Sequence, residues 1–151
     1  ISAFQTVTLQ ESAMEPTYSV SEKFFVNRAL YKVSSPKRGD VIVFKTSASD
    51  SAALHIRRVI GLPGETVQVK DGKIYINGKV YEENGAYQDM TDGGLANSAI
   101  TLESGEYFVL GDNRNNSEDS RFSDIGNISK KYIVGKVWFT VSPKNKIGFI
   151  K

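Results

Sequence analysis

The sequence contains no cysteine, which excludes a disulfide, a thiolate nucleophile and a thiolate metal site and leaves an exported location open. It contains no run of about 18 apolar residues, so no segment of it crosses a bilayer as a helix. A strong charge of one sign is also missing: 19 basic residues against 17 acidic leave +2, too balanced for a nucleic-acid partner. Apart from Arg57-Arg58 and Lys130-Lys131 the basic residues are scattered, so no polybasic membrane patch is expected. Helical periodicity is scarce, confined to a turn around Ile128 to Lys131. What remains is a chain of 151 residues, enough for one domain or one core with a small appended lobe. Its 40% hydrophobic and 24% charged residues are ordinary for a folded domain.

The pattern is that of strands. Lys23 to Asn27 reads as a short strand, and Gly39-Asp40 turns into Val41-Ile42-Val43-Phe44, a run of strong β preference. Arg58-Val59-Ile60-Gly61 is another, stopped by Leu62-Pro63-Gly64. Val67 to Lys70, Lys73 to Ile76 and Lys79 to Tyr81 are separated by Asp71-Gly72 and Asn77-Gly78. Those pairs supply positive φ cheaply, as two-residue hairpins require, so a compact meander is expected. Residues 82 to 100 are polar and aperiodic and read as a loop or poorly ordered excursion. Strand pattern resumes at Glu106 to Gly111 and again at Tyr132 to Val141. The expected fold is mainly β: an antiparallel core over 1–66 and 106–151, with 67–105 as a smaller inserted β/loop lobe.

Three segments carry the functional signal: Gln10-Glu11-Ser12-Ala13-Met14-Glu15-Pro16-Thr17, Ile56-Arg57-Arg58-Val59-Ile60-Gly61-Leu62-Pro63-Gly64-Glu65, and Gly111 to Arg121. In that order they resemble the motifs of the type I signal peptidases, the membrane-bound serine–lysine (S26-like) endopeptidases that remove signal peptides from exported proteins. Met14, Pro16 and Thr17 match the first motif, whose proline rigidifies the backbone. Pro36 to Phe44 matches the strand that follows, and Gly61 to Gly64 the turn after the lysine strand, with Glu65 where an aspartate is usual. Two residues after Ser120-Arg121 look extra relative to the family's spacing, which leaves Phe122 to Lys131 unassigned. The resemblance implies an N-terminal transmembrane anchor just before the first motif. It further implies a single-pass protein of the cell membrane with this domain on the extracytoplasmic face.

Two positions break the pattern. The family's catalytic serine and lysine fall on Ala13 and Arg57. A lysine base must be neutral, which takes about three pKa units, or about 4 kcal/mol, of desolvation. Arginine would need about five or six units, or about 7–8 kcal/mol, and its charge is effectively permanent. Ala13 has no hydroxyl. Losing one member of such a unit costs on the order of a millionfold in subtilisin. No catalytic residue is therefore expected. A shifted Ser12–His55 pair is disfavoured because adjacent residues of an extended segment face opposite ways.

The expected shell of this vestigial site is Glu11, Ser12, Met14, Pro16, Arg58, Asp112, Ser117, Asp119 and Arg121. The resemblance puts Ser117 where a hydroxyl orients the lysine, and Asp112, Arg114, Asp119 and Arg121 where ion pairs support that shell. Glu11 lies two residues from Ala13 and is expected either to pair with Arg57 or to project into solvent. A pair would set negative charge where an oxyanion must develop, opposing peptidase chemistry. The family binds an extended segment by strand pairing beside shallow apolar pockets, which does not need the dyad. Signal-peptidase-like proteins with degenerate dyads, the SipA-like group of streptococcal pilus loci, are needed for pilin polymerisation. The sequence resembles that Gram-positive group and implies a non-proteolytic pilus assembly factor or chaperone. Its expected partner is a pilin subunit or signal-peptide-like segment, with no cofactor and no metal. The alternatives are a type I signal peptidase in an inactivated form, since Ser→Ala is a standard engineered change, and an interaction module that binds no peptide. Arg57 argues against the inactivated peptidase, because a deliberate base knockout would rarely be arginine.

Overall fold

The computed structural model describes residues 3–49 and 51–150. In chain order the elements are β1 (Phe4–Thr8), β2 (Lys23–Asn27), a one-turn helix α1 (Leu30–Val33), β3 (Val41–Phe44), β4 (His55–Gly61), β5 (Thr66–Lys70) and β6 (Lys73–Ile76). There follow β7 (Lys79–Val80), β8 (Ile100–Thr101), β9 (Glu106–Leu110), β10 (Ile128–Ser129), β11 (Ile133–Ser142) and β12 (Gly148–Phe149). Two antiparallel sheets result, one ordered β1-β2-β11-β3-β4-β9-β10 with β12 added on β11, the other β7-β6-β5-β8. The mainly β antiparallel fold read from the sequence is the fold observed.

The central strands are those whose residues can be buried on both faces. All four residues of β3 are buried, and so are six of the seven in β4. β-Branched and aromatic side chains suit such a position because they fill the pleated surface on either side. Two of the buried β4 residues are Arg57 and Arg58, so the middle of the sheet carries charge that must be matched from neighbouring segments. The meander behaves as its turns require. Asp71 and Gly72 have φ of 52° and 77°, Asn77 and Gly78 have 52° and 81°, and they join Lys70 to Lys73 and Ile76 to Lys79 in register.

The smaller sheet shares its hydrophobic core with the larger one: Val67, Val69 and Ile74 pack with Ile60, Phe108 and Leu110. Of residues 82 to 100, read as a loop or poorly ordered excursion, Ile100 opens β8; the others form no strand but are tied down rather than poorly ordered. Met90 and Ala96 are buried in that same core, Met90 N–H donates to Gly72 O (2.9 Å), and Leu95 N–H donates to Arg121 O (2.7 Å). Around Ile128 to Lys131 the expected turn is a short bridge, β10, followed by a 3-10 turn over Lys130–Tyr132. The basic residues are dispersed along the chain but not in space. Arg28, Lys32, Lys45, Lys130 and Lys131 converge on one cavity at the end of β3 and the start of β11, which corrects the expectation of no basic patch.

Candidate functional site

Ala13 sits in a 3-10 turn over Ser12–Met14 and is buried with Met14. The turn is fixed by the loop after β9. Asn113 donates from its backbone N–H to Ala13 O (2.9 Å) and from Nδ2 to Ser12 O (3.1 Å). Gly111 makes this docking possible, because a Cβ there would collide with Ala13 O and the Ser117 hydroxyl. The first and third motifs therefore meet through backbone. Pro16, joined to Glu15 by a cis peptide bond, lies exposed at the exit of the turn.

β4 brings the second motif alongside. Arg57 is fully buried, and four donor contacts hold its guanidinium. Nη1 and Nη2 donate to the two carboxylate oxygens of Glu11, both at 3.0 Å, Nε donates to Glu118 O (2.7 Å), and Nη1 also donates to Ile56 O (2.8 Å). Of the two orientations open to Glu11, the fold takes the inward one. His55 Nδ1 lies 3.2 Å from the same Glu11 oxygen, Oε1. Glu11 thereby ties the segment after β1 to β4, two strands that are not neighbours in the sheet. Burial pushes the Glu11 carboxyl up, but hydrogen bonds from His55 and Arg57 and the Arg57 charge outweigh it and bring it down to about 2. With His55 engaged by Glu11, no hydrogen bond joins Ser12 to His55 among the described residues.

The rest of the shell is a set of buried arginines, each with its own carboxylate. Arg58 makes a bidentate contact to Asp112 at 2.8 and 2.7 Å and reaches Gly39 O. Burial pulls the Arg58 guanidinium down, and the Asp112 carboxylate more than offsets it, so its charge is secure. Arg121 contacts both oxygens of Asp119 at 2.9 Å, and Asp119 also accepts from Ser117 Oγ (2.9 Å) and Gly111 N–H (3.1 Å). Ser117, placed by resemblance where a hydroxyl would orient the lysine, thus turns to Asp119, and the carbonyl of Glu118 serves Arg57 in its place. Arg114 pairs with Glu83 at 2.5 and 2.6 Å and stacks 4.1 Å from the Tyr87 ring centre. Glu83 and Tyr87 come from the loop 82–98, and no spacing in the sequence pointed to them. Asn113 was visible only as part of the Gly-Asp-Asn-Arg run, not as the residue that docks the first motif.

Between these groups lies a polar cavity of about 390 Å³, lined among others by Glu11, Ala13, Arg57, Ser117, Glu118 and Phe122. At Ala13 and Arg57, the positions where the resemblance places a nucleophile and a base, it presents a methyl group and a saturated guanidinium. Neither can take a proton or attack a carbonyl. No group of three or more potential metal ligands occurs among the described residues.

Comparison with known proteins agrees with the motifs. Residues 1–142 match the family model described as signal peptidase, peptidase S26. The chain is 32% identical over 151 residues to a probable signal peptidase I-2 of Synechocystis, an alignment covering 94% of this chain and 65% of that protein. It is 35% identical to signal peptidase I T of Bacillus subtilis, covering 95% of this chain and 77% of that one. It therefore spans just under two thirds of the first relative and more of the second. A crystal structure of a signal peptidase I from Enterococcus faecalis V583 superposes with a TM-score of 0.52 at 32% identity, covering 68% of this chain and 96% of that one.

Proposed function

The chain belongs to the signal peptidase family, peptidase S26, and from that premise we propose that it holds extended segments of exported proteins without cutting them. The observation that carries this reading is the Arg57–Glu11 pair beside Ala13. A permanent cation replaces the neutral base, and a carboxylate occupies the neighbourhood in which an oxyanion would form. Strand pairing of a bound segment draws on backbone groups and side pockets, so it survives this loss. The segment in question is that of a pilin, as in the degenerate signal-peptidase-like proteins of pilus loci that the motifs resemble. On this reading the domain works as an assembly factor on the extracytoplasmic face, joined to the membrane by an N-terminal anchor. A second reading, an inactivated type I signal peptidase, is favoured by the names of its relatives.

Incubation with a signal-peptide or pre-pilin substrate tests the proposal. The unaltered chain is expected to bind the substrate, read by fluorescence anisotropy, and to leave it intact. Cleavage overturns the proposal. The variant Ala13→Ser with Arg57→Lys is expected to stay inactive, because Glu11 would hold the new lysine charged. Adding Glu11→Ser to that pair should permit cleavage. Cleavage by the double variant would show that Glu11 is no obstacle.

A further inference from the structure

A second cavity, of about 570 Å³, shares no lining residue with the site around Arg57. Arg28, Lys32, Lys45, Lys130 and Lys131 surround it, and among the described residues no carboxylate lines it. Asp40, which does not line the cavity, accepts from the lining residue Tyr31 through its OH (2.6 Å) and lies 3.3 Å from Lys136. Lys130 donates only to neutral oxygens of Ser34 and Ser35. Among the described residues, Arg28, Lys32, Lys45 and Lys131 make no ion pair and no side-chain hydrogen bond, although Lys131 lies 5.1 Å over the Tyr132 ring. Arg28 and Lys45 are half-buried. Partly desolvated cations without a counterion are costly, and the cost is removed by a bound anion.

The cavity adjoins a cluster of partly exposed aromatic rings. The Trp138 ring lies at a tilt to Phe4 (5.4 Å) and Phe149 (5.3 Å), and Phe139 meets Phe149 edge-on (5.2 Å) and Phe25 at a tilt (6.1 Å). Phe149 is 69% exposed and Phe4 44%. The two surfaces meet at one point of the backbone. Ala3, which lines the cavity, accepts from Arg28 N–H (2.7 Å), and Phe4 follows directly. Along β11, Val134 lines the cavity and Trp138 stands four residues on, about 13 Å at strand spacing.

We propose that this cavity binds the phosphate of an anionic phospholipid headgroup while the adjoining aromatic cluster rests at the membrane interface. A free phosphate or an acidic peptide would meet the cations but has no use for the aromatic side. A lipid uses both, since aromatic rings favour the headgroup level and each basic residue near an anionic surface adds to the attraction. The volume suits a headgroup-sized ligand.

The test is co-sedimentation of the 151-residue chain with phosphatidylcholine vesicles, with and without phosphatidylglycerol. Binding is expected only to the vesicles with phosphatidylglycerol and is expected to fall as salt rises. Lys32 and Lys131 are exposed, so Lys32→Gln with Lys131→Gln leaves the fold intact, checked by circular dichroism. It is expected to weaken partitioning about 25-fold, at about fivefold per cation. Arg28→Gln should weaken it in the same direction. Equal binding to both vesicle types, no binding to either, or undiminished binding by the Lys32→Gln and Lys131→Gln variant overturns the proposal. Competition by millimolar inorganic phosphate, or binding of polyglutamate as tight as that of the vesicles, overturns the lipid assignment.

Discussion

Arg57 and Arg28 belong to two regions that treat positive charge in opposite ways. Around Arg57 every buried cation is matched: Glu11, Asp112, Glu83 and Asp119 each close on one arginine. Around Arg28 five basic side chains share a cavity with no acid among the described residues of its lining. A guanidinium saturated from within contributes to the fold and has no donors left for a ligand. Cations left without an internal carboxylate are available for an external anion. The difference separates charge that the chain uses to hold itself together from charge that it presents outward.

The sharpest way to break this comparison is to remove one group from each side. Glu11→Ala leaves Arg57 buried without its carboxylate and is expected to destabilise the fold by about 3–5 kcal/mol in urea unfolding. Arg28→Ala should change stability by less than about 0.5 kcal/mol. Equal effects would erase the distinction. Replacing both members of the pair, Glu11→Leu with Arg57→Met, is expected to recover most of the loss, because a well-packed apolar pair is close to neutral with a buried ion pair.

Acid sharpens the same contrast at a smaller scale. The Glu11 carboxyl lies at about 2 in the folded chain against 4.5 for the free group. A depressed carboxyl stabilises the fold above the unfolded value, and that contribution is lost as pH falls from about 4.5 through about 2. Glu11 is a third exposed, so after discounting for solvent screening the loss is about 1–2 kcal/mol. Against a Glu11→Gln reference, the difference in urea midpoint should shrink across that window. A constant difference would mean that the pair is electrostatically weak. The smallest effect concerns the open cavity. Lys32→Ala should raise stability by about 0.2–0.5 kcal/mol in low salt, by relieving like-charge repulsion, and the gain should vanish at 1 M salt.

How much of this was legible depends on how far apart the partners lie in sequence. The meander was readable because Asp71-Gly72 and Asn77-Gly78 encode their turns in two residues each. β3 was readable because Val41 to Phe44 is apolar throughout, as burial on both faces demands. β1 was not marked, since Phe4-Gln5-Thr6-Val7-Thr8 is a half-polar edge strand, and β8 and β12 have two residues each, too short for any period. In the site, the Glu11–Arg57 contact could be anticipated because Glu11 stands two residues from Ala13. Glu83 could not, since nothing local links it to Arg114 31 residues later. The basic cavity was misjudged for the same reason. Its cations come from four segments between Arg28 and Lys131, and no linear window contains them.

The tie that Glu11 makes between Arg57 and His55 also limits the routes by which this sequence can change. A change at position 11 alone strands a buried guanidinium, and Arg57→Lys alone sets a shorter cation against a carboxylate that keeps it charged. A serine at position 13 alone finds no base. Each single step toward serine–lysine chemistry is therefore weakening or silent, so positions 11, 13 and 57 would have to change together for that chemistry to appear.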